Sequence, residues 1–421
     1  MTDVVRGAAP AAVELAEVLT SELDERLAGA DAALGERFPG DTPDRQPVHT
    51  VYLPADRFVE DLPDTWGRVA IALIDQHADL FAELAAGAEA VALVRAKLTS
   101  EPIEDLRIDF EDGYGDRGDE MEDADTLRAA AELARATLAG TGAPYRGIRF
   151  KSLEAPTRRR GIRTLTMFLS TLLEEGGGLD GFVVTLPKIT SVEQVEAMVH
   201  LTARLEESLG LTPRSLRFEL QIETPQSILG PDGTALVARM IHAGDRRVSA
   251  LHYGTYDYSA FCGIPAAYQS MEHPVADHAK LVMQAAAAGT GVRLSDGSTN
   301  VLPVGDETTV RRGWELHARL VRRSLERGYN QGWDLHPAQL PTRFAATYAF
   351  YRSGFDEAVE RLRNYVEQTG SSVMDEPATA RALSDFIARG MDCGALSATE
   401  VESGSGLDVA TLTAMARPRR L

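Results

Sequence analysis

Short apolar runs that stop in turn chemistry recur through the middle of the chain, each followed by a stretch with helical spacing of its apolar positions. In order they span 49–54, 106–112, 147–151, 181–188, 216–223, 248–257, 291–296 and 331–336. From the second run onward their ends lie between 34 and 40 residues apart. Strands alternating with helices at that interval predict βαβ units and a parallel sheet. Eight of them predict a closed (β/α)8 TIM barrel, an α/β fold, rather than an open doubly wound sheet. The regularity follows from fold geometry and not from identity between units, so no solenoid repeat is implied.

The flanks are helical. Residues 11–38 place Val13, Leu15, Leu19, Leu23 and Leu27 on one helical spacing, and 40–47 form a Pro/Gly/Asp connector. The first unit is long, with helical stretches at 66–84 and 87–97. Beyond Pro341 the pattern is helical throughout, at 344–368, 379–389 and 408–415, before a basic tail. Three parts follow: an N-terminal helical extension (1–48), a barrel (49–340) and a C-terminal helical extension or lid (341–421).

In such a barrel the active site lies at the C-terminal ends of the strands. The groups at those ends are Glu111 and Asp112, Arg149 and Lys151, Lys188, Glu223, Asp257, Asp296 and His336. Glu223 closes the fifth run, and Pro225 stops that strand because it has no N–H and restricts the residue before it. The sixth run ends likewise in Gly254-Thr255-Tyr256-Asp257. Two carboxylates at consecutive strand ends suit one hard divalent cation, with water and substrate oxygens completing its shell. The competing reading is a pair of solvated turn carboxylates.

Arg149 suits a bidentate clamp on a substrate carboxylate, or a pairing with a structural acid. Lys188 suits an enolate oxygen, a carboxylate partner or a Schiff base. His336 suits acid/base work or a hydrogen bond that holds the last loop. In the acidic loop after the second run, Glu111 and Asp112 belong with the site, while the later acids read as solvated or helix N-terminal. Arg158–Arg160 and Arg163 read as a solvated face, with phosphate binding as the alternative. No Walker A loop, dinucleotide fingerprint or Gly-x-Ser-x-Gly elbow is present.

Composition narrows the partners. The 421 residues carry 43 basic against 63 acidic side chains, a net charge of −20, which argues against nucleic acid or an anionic membrane as a broad partner. Only Cys262 and Cys393 are present, too few for a disulfide framework, so a reducing cytoplasm is the expected location. The first residues lack the apolar segment of a signal peptide, and no uncharged run is long enough to span a bilayer.

These pieces, in this order, resemble the HpcH/HpaI aldolase and citrate lyase β-subunit-like family. IDFEDG is similar to its acidic second-strand motif and GIRFK to its third-strand arginine motif. LPK and IETP resemble its next two strand ends, and the GTYD stretch resembles its second metal-ligand motif. GWDLHPAQ resembles its last-strand motif, and SSVMDEPATARA a C-terminal segment with an aspartate after a methionine. The resemblance implies an often trimeric or hexameric barrel enzyme that binds Mg²⁺ (or Mn²⁺) and cleaves or forms a C–C bond in a 2-oxo acid or acyl-CoA.

Carried over by position, Glu223 and Asp257 become metal ligands and Arg149 grips a carboxylate or enolate. Glu111 and Asp112 order metal-bound water. Asp375 becomes an acid/base supplied to a neighbouring subunit; its local alternative is a cap on the helix starting near Pro377. The chain departs from the pattern in its extra N-terminal material, in the connection around the fifth strand and in Lys151, which stands where the family often has a small amide and would alter substrate charge preference. A malate-synthase-like condensing enzyme or thioesterase on the same site is an alternative, as is a catalytically silent subunit that binds an acyl ligand.

Overall fold

The computed structural model describes residues 3–85, 87–367 and 376–417. Eight strands run in parallel: β1 (His49–Pro54), β2 (Asp105–Asp109), β3 (Tyr145–Arg149), β4 (Phe182–Leu186), β5 (Arg217–Ile222), β6 (Val248–Tyr253), β7 (Arg293–Ser295) and β8 (Gly332–Asp334). Each pairs with the next in sequence through β7, and β1 also pairs with β8. A bridge between Ser295 and Gln331, and the Asp296 N–H donating to the Gln331 carbonyl at 2.8 Å, join β7 to β8. The α/β barrel expected from the eight runs is therefore the fold.

Several strands stop short of the predicted runs, for local reasons. β2 ends at Asp109 because that carboxylate accepts from the N–H of Glu111 and of Gly113, both at 2.9 Å, and turns the chain. β6 ends at Tyr253 because the helix Thr255–Phe261 begins two residues later, after the N-cap Gly254.

Outward positions such as Phe218, Leu220 and Ile222 are fully buried in the apolar core. Inward positions are polar. Arg107 on β2 reaches Glu219 on β5 with Nε–Oε1 3.0 Å and Nη2–Oε2 2.7 Å, and also pairs with Asp105. Tyr52, Thr185 and His252 surround the same glutamate. Strands β2 and β5 are not neighbours, so these groups meet only in the lumen. Burial opposes the ionisation of Glu219, yet Arg107 and His252 outweigh it and hold its pKa low. Asp105 is pushed up by burial, against the attraction of Arg107.

The helix Leu340–Val366 packs on Glu307–Glu326 and on Leu62–Gln76 and Ala88–Ser100, so the barrel wall continues past residue 340. Asp334 fastens it: the buried carboxylate meets Arg343 at 2.9 Å, His317 at 3.0 Å and His49 at 2.8 Å. The later helices Pro377–Asp392, Ala398–Ser405 and Val409–Ala416 reach the segment just before β1. Arg381 pairs with Asp41 at 2.7 Å, and Arg417 donates to the Pro43 carbonyl at 2.7 Å. These contacts lie beneath the strands and not at their C-terminal ends, so they close no mouth of their own chain. Ala398–Ser405 was not legible as a helix, although Ser397 and Glu400 form a capping box at its start.

The N-terminal helix Asp3–Arg37 leaves the barrel, and every residue from 11 to 32 is exposed. No described helix is long and apolar enough to cross a membrane.

Candidate active site at the mouth of the barrel

Three strand ends, those of β2, β5 and β6, place their acids around one lysine that follows β4. Lys188, two residues beyond β4, takes φ 51°, a left-handed conformation that costs a lysine energy unless neighbours enforce it. Its backbone N–H donates to Glu223 Oε1 at 2.7 Å. Its Nζ lies 2.8 Å from Asp112, 3.2 Å from Glu111 and 3.4 Å from Asp257. Burial opposes that charge, but Glu223, Glu111 and Asp112 together raise the Lys188 pKa above its ordinary value.

Glu223 is fully buried at the end of β5. Its second oxygen accepts from Gln221 Nε2 at 2.5 Å. Gly254 makes room for it: a Cβ there would lie 2.5 Å from Glu223 Cβ and 3.0 Å from Oε2. The backbone at Gly254 has φ −96°, so the requirement is for space and not for an unusual conformation. Burial raises the Glu223 pKa well above the usual carboxylate range; Lys188 and Arg149 work against this, while Glu111 and Asp257 add to it. Glu111 is pushed up to about 7, by burial first and then by Asp112, against Arg149 and Lys188. Asp112 goes the other way, because its bond to Lys188 outweighs burial.

Arg149 is buried and rigid. Nε and Nη2 form a fork with Asp109 at 2.7 Å each, Nη1 donates to Gln221 at 3.2 Å and lies 3.5 Å from Glu111, and the guanidinium rests 4.9 Å from the Tyr52 ring centre. The bidentate fork thus goes to a structural aspartate, which leaves Nη1 as the edge nearest the acids. Asp109 and Gln221 were missed in the sequence, although a charged residue inside the apolar run around Ile108 and Phe110 was the available signal.

Other candidates stand apart. His336 Nδ1 accepts from the Ala338 N–H at 3.1 Å and caps the turn Pro337–Gln339; burial alone lowers its pKa. Asp296 is held by Lys280 at 3.0 Å and Ser324 at 2.6 Å. Lys151 turns to Glu122 at 2.7 Å and to the carbonyls of Phe110 and Gly115, so it braces the β2 loop and leaves no free charge beside Arg149. Arg160 and Arg163 pair with Asp123 on the preceding helix. Asp375 lies outside the described residues, and the N-cap of the helix after it falls on Glu376.

The donor chemistry fits a hard divalent cation. Among the described residues, Asp109, Glu111, Asp112, Glu223 and Asp257 face two cations, Lys188 and Arg149. Glu223, one of the two expected ligands, is the fully buried carboxyl of this group, and burial opposes its charge more than Lys188 and Arg149 favour it. Among the described residues no three His, Cys, Asp or Glu form a ready-made metal cluster; the Lys188 ammonium stands between the acids.

A family model described as a domain of unknown function, DUF6986, matches residues 27–420. The chain belongs to the DUF6986 family. No curated protein sequence matches this DUF6986 chain. Among solved structures, a citrate lyase from Burkholderia xenovorans LB400 superposes with a TM-score of 0.55 at 20% identity, over 89% of this chain and 98% of that one. A malate synthase from Haloferax volcanii gives 0.49 at 15% identity, over 90% and 99%. An HpcH/HpaI aldolase/citrate lyase family protein from Burkholderia cenocepacia J2315 gives 0.41 at 16%, over 79% and 99%. The DUF6986 chain therefore shares the barrel fold of the citrate lyase, as the motif resemblance implied.

Proposed function

We propose that the chain is a Mg²⁺- or Mn²⁺-dependent carbon–carbon lyase or aldolase acting on a 2-oxo acid, with an acyl-CoA thioester as the other substrate class. The observation that carries this reading is the convergence of Glu111, Asp112 and Asp257 on the Lys188 ammonium, with Glu223 bound to the same residue's N–H. Glu223 and Asp257 are the residues to hold the cation. When bound, it would supply Lewis-acid stabilisation of negative charge on a carbonyl oxygen.

The chain's own groups supply the rest. Arg149 offers Nη1 as a fixed positive edge where charge develops, and Asp109 prevents it from swinging away. Lys188 balances the acids and contributes a second positive charge at the mouth. As the C–C bond breaks, its electron pair passes to the carbonyl side of the substrate. The proton of the departing hydroxyl goes to a base, Asp375 of a neighbouring subunit or a water ordered by Glu111 and Asp112. Metal chelation makes the Schiff-base use of Lys188 redundant.

A thermal-shift screen tests the proposal, because a ligand that binds only the folded state raises its stability by RT ln(1 + [L]/Kd). Oxalate or pyruvate is expected to raise Tm in the presence of Mg²⁺ and not in EDTA. At a hundredfold excess over Kd the gain is about 2.7 kcal/mol. No shift with any 2-oxo acid would favour a catalytically silent barrel.

A further inference from the structure

The N-terminal helix carries an apolar seam that no described residue covers. Val13, Ala16, Thr20, Leu23, Leu27, Ala30 and Leu34 recur at alternating steps of three and four, the spacing of a helix that packs lengthwise on a partner. Leu23, Leu27 and Leu34 are 54%, 49% and 48% exposed. The row on one side of this seam is wholly acidic: Glu17, Asp24 and Asp31. Over residues 11–37 seven acids stand against two arginines. Two such helices laid together would set like charges side by side, which disfavours self-pairing.

The complementary surface lies on the same chain. Where the helix meets the barrel, a cleft of about 1080 Å³ opens under the strands, lined among others by Arg214, Arg217 and Arg246 and by the half-buried Val192, Ala238 and Val292. Arg214 pairs with Asp245, whereas Arg217 and Arg246 make no ion pair among the described residues. Glu36 and Arg37 form part of the rim, so the C-terminal end of the helix sits at its own cleft and the rest leads away from it. The helix thus brings apolar side chains and negative charge, and the cleft offers apolar side chains and unpaired positive charge.

We propose that the N-terminal helix is an exchange arm that docks in the arginine cleft of a second copy of this chain, each copy donating one arm and receiving the other. Such a reciprocal contact closes under two-fold symmetry. It is independent of the reading of the barrel mouth, which lies at the opposite end of the strands.

Light scattering on the full chain tests it. The wild type is expected at a multiple of the 45.6 kDa chain mass. Leu23→Asp with Leu27→Asp, and separately Arg217→Glu with Arg246→Glu, are each expected to weaken that assembly at least ~30-fold. All four positions are exposed, so melting temperatures near wild type would show that the fold survives. An equimolar mixture of the two variants restores one intact arm and one intact cleft, and part of the lost mass is expected to return. A wild type of single-chain mass would overturn the proposal, as would arm variants that keep the wild-type mass. Loss of assembly with the arm variants but not the cleft variants would mean arm-to-arm pairing and overturn it equally.

Discussion

Glu223→Ala and Asp257→Ala are each expected to abolish Mg²⁺-dependent turnover of a 2-oxo acid while the barrel stays folded. The loss should exceed ~100-fold, the upper range for removing a group that merely supports a metal ligand. The fold should tolerate Glu223→Ala because burial already works against this carboxylate's charge, and its hydrogen bonds come from groups of the site itself, Lys188 N–H and Gln221. Asp257 is half-exposed, and its one side-chain polar partner among the described residues is Lys188 at 3.4 Å. Kinetics over a Mg²⁺ titration, beside circular dichroism, separate this outcome from unfolding. Full activity of either variant at limiting Mg²⁺ would reject the assignment.

Arg107→Leu is expected to be among the most destabilising single changes in the chain. It leaves Glu219 and Asp105 buried in the lumen without their shared guanidinium. Breaking a buried pair from one side costs roughly 3–5 kcal/mol, and a drop in Tm of several degrees is expected on a chain of this length. The pH dependence has a definite sign. Arg107 and His252 depress the folded pKa of Glu219 against burial, so its contribution is present above the unfolded carboxylate value near ~4.3 and is lost as pH falls through the folded value. Wild type and variant should therefore differ most near neutrality and converge in acid. Replacing Glu219 by leucine as well should recover part of the loss. Denaturant unfolding at several pH values reads all three, and a variant as stable as wild type at pH 7 would show that the lumen pair contributes nothing.

The barrel was legible because turn chemistry punctuates it. Pro225 after Glu223 and Gly254 before Asp257 marked two strand ends, and the structure turns both acids toward Lys188. The lumen was not legible. Arg-Phe-Glu-Leu-Gln-Ile-Glu reads as an apolar strand capped by one acid, yet alternation sends Phe218, Leu220 and Ile222 outward and Glu219 and Gln221 into the barrel. Only side chains from non-adjacent strands make that polar interior stable, and a single strand cannot show them.

The same limit explains Arg149. The sequence left it open between a clamp on a substrate carboxylate and a pairing with a structural acid, and Asp109, forty residues earlier, takes its Nε and Nη2. Lys151 was read as altering substrate charge preference and Arg160 as part of a solvated face, and neither reading could show that the helix Asp119–Ala139 brings Glu122 and Asp123 against them. Charges read singly overstate what a site has available, because their partners come from distant units.

The most direct measurement is a crystal structure grown with Mn²⁺ and oxalate, read by anomalous scattering. The account predicts one Mn²⁺ peak bound by both Glu223 and Asp257, with the Lys188 ammonium moved aside. A peak at any other set of acids, or none at saturating Mn²⁺, would contradict it.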